Sequence, residues 1–214
     1  MEKLSVIIVD DHPVIRHGVS SVLRQQPDMN IVGQSHSAEA ALPEIKNLKP
    51  DVAILDITMA GISGIDLIPY IKESSEDTAI IIYTMHEMPD YIHRAFSAGA
   101  KGYVLKGDEI NDLIAAIREV KEERFYFSRN LPHALVQQIM NGNGTQGPLS
   151  GLTAREYEIA NLLAQNMNPN KIGEILFISP KTVRVHRTNI MHKLGCQRSN
   201  ELLFRLRDYF PNIQ

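Results

Sequence analysis

Five short β-rich runs, each followed by a segment with helical apolar spacing, constrain this chain more than any other feature. The runs lie at Leu4–Val9, Asn30–Gly33, Val52–Leu55, Ala79–Tyr83 and Gly102–Leu105. Behind them, Val14, Ile15, Val19, Val22 and Leu23 share one helix face. Ala38, Ala41, Leu42, Ile45 and Leu48 share a second, and Ile65, Ile68 and Ile71 a third. Ile92, Ala95 and Phe96 mark a fourth, and Ile110, Leu113, Ile114, Ile117 and Val120 a fifth. Successive βα units predict a parallel sheet with helices on both faces. Near-continuous apolar strands agree, because such strands are covered on both sides. The expected fold is a five-stranded, doubly wound parallel sheet; if its order is the flavodoxin-like 2-1-3-4-5, the order reverses between strands one and three.

Ligands in open α/β sheets bind beyond the carboxyl ends of the strands at that reversal. The first apolar run stops at Asp10-Asp11, the third at Asp56, the fourth at Thr84 and the fifth at Lys106. Taken singly, each has an ordinary reading as a cap, a strand terminator or a solvated lysine. Taken together, they place three carboxylates around one crevice, beside a hydroxyl and an ammonium. Clustered carboxylates repel unless a cation or proton intervenes. A hard oxygen set suits Mg²⁺, which keeps several waters and accepts phosphate oxygens. The parts match phosphoryl transfer to a carboxylate, with Asp56 as nucleophile, Asp10 and Asp11 at the metal and Lys106 neutralising charge.

Charge is unevenly spread. The formal net charge is −3, but from Pro148 onward the chain carries nine Lys/Arg against five Asp/Glu. An acidic front and a basic back suggest two domains with different partners, the basic one fitting nucleic acid. A short helical stretch from Pro132 to Met140 precedes "NGNGTQGPLSG", which reads as a flexible linker. Beyond it the pattern is purely helical. Thr153 and Glu156 form a capping box. Asn168-Pro169 and Ser179-Pro180 each place a cap before a proline at the first helical position, and a fourth helix spans about Ser199 to Tyr209. On the third helix Val183, His186, Ile190 and Leu194 form one stripe. Lys181, Arg184, Val185 and Thr188 form another, with Arg187 beside them. That pairing fits the recognition helix of a helix-turn-helix.

"VIIVDDHP", "VAILDITMAGISG", "IIIYT" and "AGAKGYVLK" resemble the receiver domain of bacterial two-component response regulators over residues 3–121. The resemblance implies that Asp56 accepts a phosphoryl group from a sensor histidine kinase. It also implies that Asp11, Asp56 and the backbone carbonyl of Thr58 ligate Mg²⁺, with Asp10 acting through water. Thr84 and Tyr103 would be the switch pair, the Tyr103 ring turning inward on phosphorylation. Ala60 stands where the family usually has proline. "LTAREYEIANLLAQNMNPNKIGEILFISPKTVRVHRTNIMHKLG" resembles the LuxR-type DNA-binding domain, which makes the whole chain similar to the NarL/FixJ-like regulators. By that resemblance Arg184, Val185 and Thr188 face base edges in the major groove, and Lys181, Arg187 and Lys193 meet phosphates. A homodimer on paired half-sites is expected. Gly173, where alanine is common, is expected to weaken its helix by up to about 1 kcal/mol.

The expected domains are a receiver over 1–122, a helical extension and linker over 123–150, and an all-α four-helix helix-turn-helix domain over 151–214. The single cysteine, Cys196, fits a reducing cytoplasm. No apolar run is long enough for a membrane span and nothing at the start reads as a signal peptide. The eight histidines lack metal-ligand spacing. A regulator rather than an enzyme is expected. A haloacid-dehalogenase-like phosphatase would carry a second Asp two residues after the nucleophile, where Thr58 stands. A regulator that does not use phosphate is the other rival, disfavoured by the full set of Asp10, Asp11, Asp56, Thr84 and Lys106.

Overall fold

The apolar runs pair side by side. The computed structural model describes residues 3–131, 133–140, 149 and 151–210, and the chain divides into two units, Met1–Gly144 and Thr145–Gln214. In the first, strands β1 (Leu4–Val9), β2 (Met29–Ser35), β3 (Val52–Leu55), β4 (Ala79–Thr84), β5 (Gly102–Leu105) and β6 (Tyr126–Phe127) form one sheet of order β2-β1-β3-β4-β5-β6. Every pairing is parallel. The intervening helices are α1 (Pro13–Leu23), α2 (Ala38–Leu48), α3 (Gly64–Ser74), α4 (Pro89–Ala98) and α5 (Ile110–Lys121). After β6 comes α6 (His133–Met140).

Alternation along the strands sorts the core. Val6, Ile8, Val52, Ile54, Ile81, Tyr83 and Val104 pack with residues of α1 and α5, while α2, α3 and α4 line up on the opposite face. Each fully buried aliphatic side chain is worth roughly 1.5–3 kcal/mol, and β1, β3 and β4 contribute runs of them.

Two particulars differ from the sequence reading. The sheet has six strands, because Tyr126 and Phe127 add to the free edge of β5. A two-residue strand has no periodicity to detect; the neighbouring edge creates it. Val14 is 83% exposed and Leu48 47% exposed. These residues sit in the first turn of α1 and the last turn of α2. The glycine-rich stretch falls largely outside the described residues, as does Pro132.

The second unit holds α7 (Ala154–Ala164), α8 (Pro169–Leu176), α9 (Pro180–Lys193) and α10 (Ser199–Tyr209). The caps form as the sequence predicts. Thr153 and Glu156 close a reciprocal capping box, Asn168 accepts from Lys171 N, and Ser179 accepts from Thr182 N. Ile172, Val183, Ile190, Leu202 and Leu206 are fully buried, whereas Ile175 is 40% exposed. Gly173 has a role beyond helix propensity. A Cβ there would stand 2.6 Å from the Ile178 carbonyl oxygen, so the α8–α9 turn closes directly over it.

Candidate functional site

The backbone carries the strand ladders just past the last strand residues. Asp10 N donates to Ser35 O, Asp56 N to Val9 O and Lys106 N to Thr84 O. Those bonds fix three candidate site residues at the carboxyl ends of β1, β3 and β5. Lys106 Nζ lies 2.7 Å from Asp10 Oδ2 and 2.7 Å from Asp56 Oδ2. Asp10, Asp56 and Thr84 are buried, at 2%, 3% and 0% exposure. The Thr84 hydroxyl helps to hold the Asp56 carboxyl down and accepts from His86 N at 3.4 Å. Gly64, opening α3, makes room for this floor: a Cβ there would meet the Asp56 carbonyl oxygen at 2.0 Å.

Burial dominates the electrostatics. It pushes the Asp56 carboxyl up to about 6 against the pull of the Lys106 ammonium; Asp10 adds to the rise and the Thr84 hydroxyl opposes it. Burial also works against the Lys106 charge, but Asp56 and Asp10 outweigh it and raise that group above its ordinary value. Tyr103 is raised as well, by burial and by the nearby Asp56 charge.

Asp10, Asp11, His12 and Asp56 each offer one ligand atom, all within 4.8 Å of one another. Asp10 Oδ2 and Asp11 Oδ1 are buried without a well-formed hydrogen bond. Each has one close neighbour: Lys106 Nζ for the first and His12 Nδ1, at 2.7 Å, for the second. The result is an acidic pocket with hard oxygen donors.

Two histidines were not singled out by sequence reasoning. His12 follows the acidic pair directly and approaches both of its members. His86 joins two loops: its Nε2 is 2.7 Å from Thr58 Oγ1, and its carbonyl accepts the Tyr103 hydroxyl at 2.8 Å. Tyr103 is fully buried, its ring already turned inward.

On α9, Lys181, Arg184, Val185 and Thr188 are exposed, and Arg187 is half-buried. Thr188 Oγ1 donates back to Arg184 O at 3.1 Å. Lys193, expected at a phosphate, is exposed and also carries an ion pair. Its Nζ lies 2.6 Å from Glu156 Oε2, tying the end of α9 to the capping box of α7.

The family described as "Response regulator receiver domain" matches residues 6–118, and that described as "Bacterial regulatory proteins, luxR family" matches 150–204. The chain belongs to the response-regulator family. Among curated relatives, "Oxygen regulatory protein NreC" of Staphylococcus epidermidis is 37% identical over 94% of this chain and 95% of its own length. NreC of Staphylococcus carnosus is 36% identical over the same shares. Among solved structures, RcsB of Salmonella typhimurium has 28% identity and a TM-score of 0.61, covering 97% of this chain and 98% of that one. An RcsB–DNA complex has 26% identity and a TM-score of 0.58 with full coverage of both chains. The regulator therefore joins a receiver domain to a LuxR-type DNA-binding domain, the build of a two-component transcription regulator. No helix among the described residues is long and apolar enough to cross a membrane.

Proposed function

We propose that Asp56 accepts a phosphoryl group from a sensor histidine kinase and that this modification controls binding of the LuxR-type domain to promoter DNA. The observation that carries the reading is Lys106 Nζ, 2.7 Å from both Asp10 and Asp56. A buried ammonium so placed neutralises the nucleophile and is positioned to hold an incoming phosphoryl oxygen. A carboxylate oxygen of Asp56 forms the new P–O bond as the N–P bond of the donor phosphohistidine breaks.

Asp11, Asp56 and the Thr58 carbonyl would hold Mg²⁺, with Asp10 acting through water. The acidic pocket and its poorly satisfied buried oxygens fit such an ion. When bound, Mg²⁺ supplies charge neutralisation for the phosphoryl oxygens. Thr84 and Tyr103 form the switch, linked here through His86. Added charge at Asp56 shifts a population between two arrangements of the face around α4 and β5.

At the DNA, Arg184, Val185 and Thr188 read base edges, while Lys181 and Arg187 contact phosphates. Lys193, expected at a phosphate, acts there only by leaving Glu156. RcsB, solved bound to a promoter with the phosphomimetic BeF₃⁻, supports extending this mode to the present chain. Phosphorylated homodimers in the cytoplasm complete the reading; the free, buried Cys196 agrees with a reducing compartment. The test compares promoter-DNA affinity and oligomeric state with and without acetyl phosphate and Mg²⁺. A response in wild type that disappears in Asp56→Asn supports the proposal. Equal DNA binding by both proteins under both conditions refutes it.

A further inference from the structure

Tyr103 and Phe127 are partners in the parallel β5–β6 register, so their side chains leave the same side of the sheet. Val104 belongs to the core under α1 and α5. Alternation therefore turns Tyr103 toward α4, and its hydroxyl reaches the His86 carbonyl in the loop before that helix. Phe127 stacks on Phe96 of α4 with ring centroids 4.6 Å apart, and Phe125 meets the same ring edge-on at 5.9 Å. The backbone follows suit: Tyr126 N donates to Lys101 O at 2.9 Å and Ser128 N to Tyr103 O at 2.8 Å. On the opposite face the Tyr126 hydroxyl donates to Asp112 Oδ1 of α5 at 2.9 Å. Phe127 thus stands beside Tyr103 where β6 covers the β5 edge.

We infer that Phe127 is a positioning residue for the switch. Its ring, held on Phe96, fills the space that an outward Tyr103 requires, so docked β6 and outward Tyr103 exclude each other. This inference rests on the phosphoacceptor reading above. A phosphoryl group that favours inward Tyr103 then favours docked β6. By reciprocity, docked β6 raises the affinity of the Asp56 site for that group by the same factor. Because β6 and α6 lie between the switch and the segment joining the two units, the state of Asp56 is passed along the chain at this strand.

The experiment measures beryllofluoride binding with Mg²⁺ by the full-length chain, in a double-mutant cycle. Phe127→Ala should weaken binding by about fivefold or more, and Phe127→Tyr should restore most of the loss. In a Tyr103→Ala background, Phe127→Ala should have no further effect. Amide exchange at Tyr126 and Ser128 should slow on beryllofluoride binding in wild type and not in Asp56→Asn. No loss on Phe127→Ala, or the same loss with and without Tyr103, overturns the inference while leaving the phosphoacceptor reading intact. A wild type that does not bind beryllofluoride overturns both. If core amides of β1 and β3 show that Phe127→Ala has unfolded, Phe127→Leu takes its place in the same cycle.

Discussion

Replacing Asp56 by Asn should stabilise the receiver while abolishing its phosphorylation. Burial raises the Asp56 carboxyl from 3.8 to about 6 even with Lys106 beside it. A group whose folded pKa exceeds its unfolded value releases its proton more readily from the unfolded chain at intermediate pH. Stability is therefore lost as pH rises from about 3.8 to about 6, and the whole deficit is present at neutral pH. The shift corresponds to roughly 3 kcal/mol. Asparagine keeps the shape, removes the charge and still offers Lys106 an acceptor oxygen, while Asp10 keeps the ammonium paired. At pH 7, without divalent cations, Asp56→Asn should gain about 2–3 kcal/mol. Hydrogen exchange of β3 and β4 amides across a denaturant series would read the gain in the receiver alone. Mg²⁺ should stabilise the wild type and leave the variant unchanged. A variant no more stable than wild type, or one equally stabilised by Mg²⁺, would refute the view that the site holds repelling, desolvated charge.

Gly173→Ala should destabilise the C-terminal unit despite a helix-propensity gain of about 1 kcal/mol, because the new Cβ would lie 2.6 Å from Ile178 O; a raised melting midpoint would contradict the close-approach argument. Glu156 is held below its ordinary value of 4.5, burial opposing and the bonds from Lys193 and Thr153 prevailing. Its contribution is thus present above pH 4.5 and lost as pH falls through the lowered folded value. Exchange rates of α7 amides should show that acid loss in wild type and a flatter profile in Glu156→Gln. Arg184→Ala should cost about 1–3 kcal/mol on the preferred DNA sequence and relax discrimination. Lys181→Ala should weaken all sequences alike and reduce the salt dependence by about one counterion. Binding titrations on matched and mutated sites separate the two.

What could be read from the sequence follows from how local each signal is. β1, β3 and β5 match their apolar runs residue for residue, because strands covered on both faces show their boundaries directly. Asp10, Asp56, Thr84 and Lys106 were legible for a related reason. Each terminates such a run, and the topology alone brings strand ends together. β6 was not legible, since two residues form a strand only where a neighbouring edge accepts them. His86 escaped notice because its bonds to Thr58 and Tyr103 join three separate segments. The ion pair of Lys193 with Glu156 was not legible, because a basic residue on a recognition helix looks the same in sequence with or without a buried carboxylate beside it.

The most direct measurement is to incubate the chain with acetyl phosphate and Mg²⁺ and to map the acylphosphate by mass spectrometry. The account predicts one phosphoryl group, on the peptide containing Asp56, dependent on Mg²⁺ and sharply reduced in Lys106→Ala. Modification at another residue, or none on a folded wild-type chain, would contradict it.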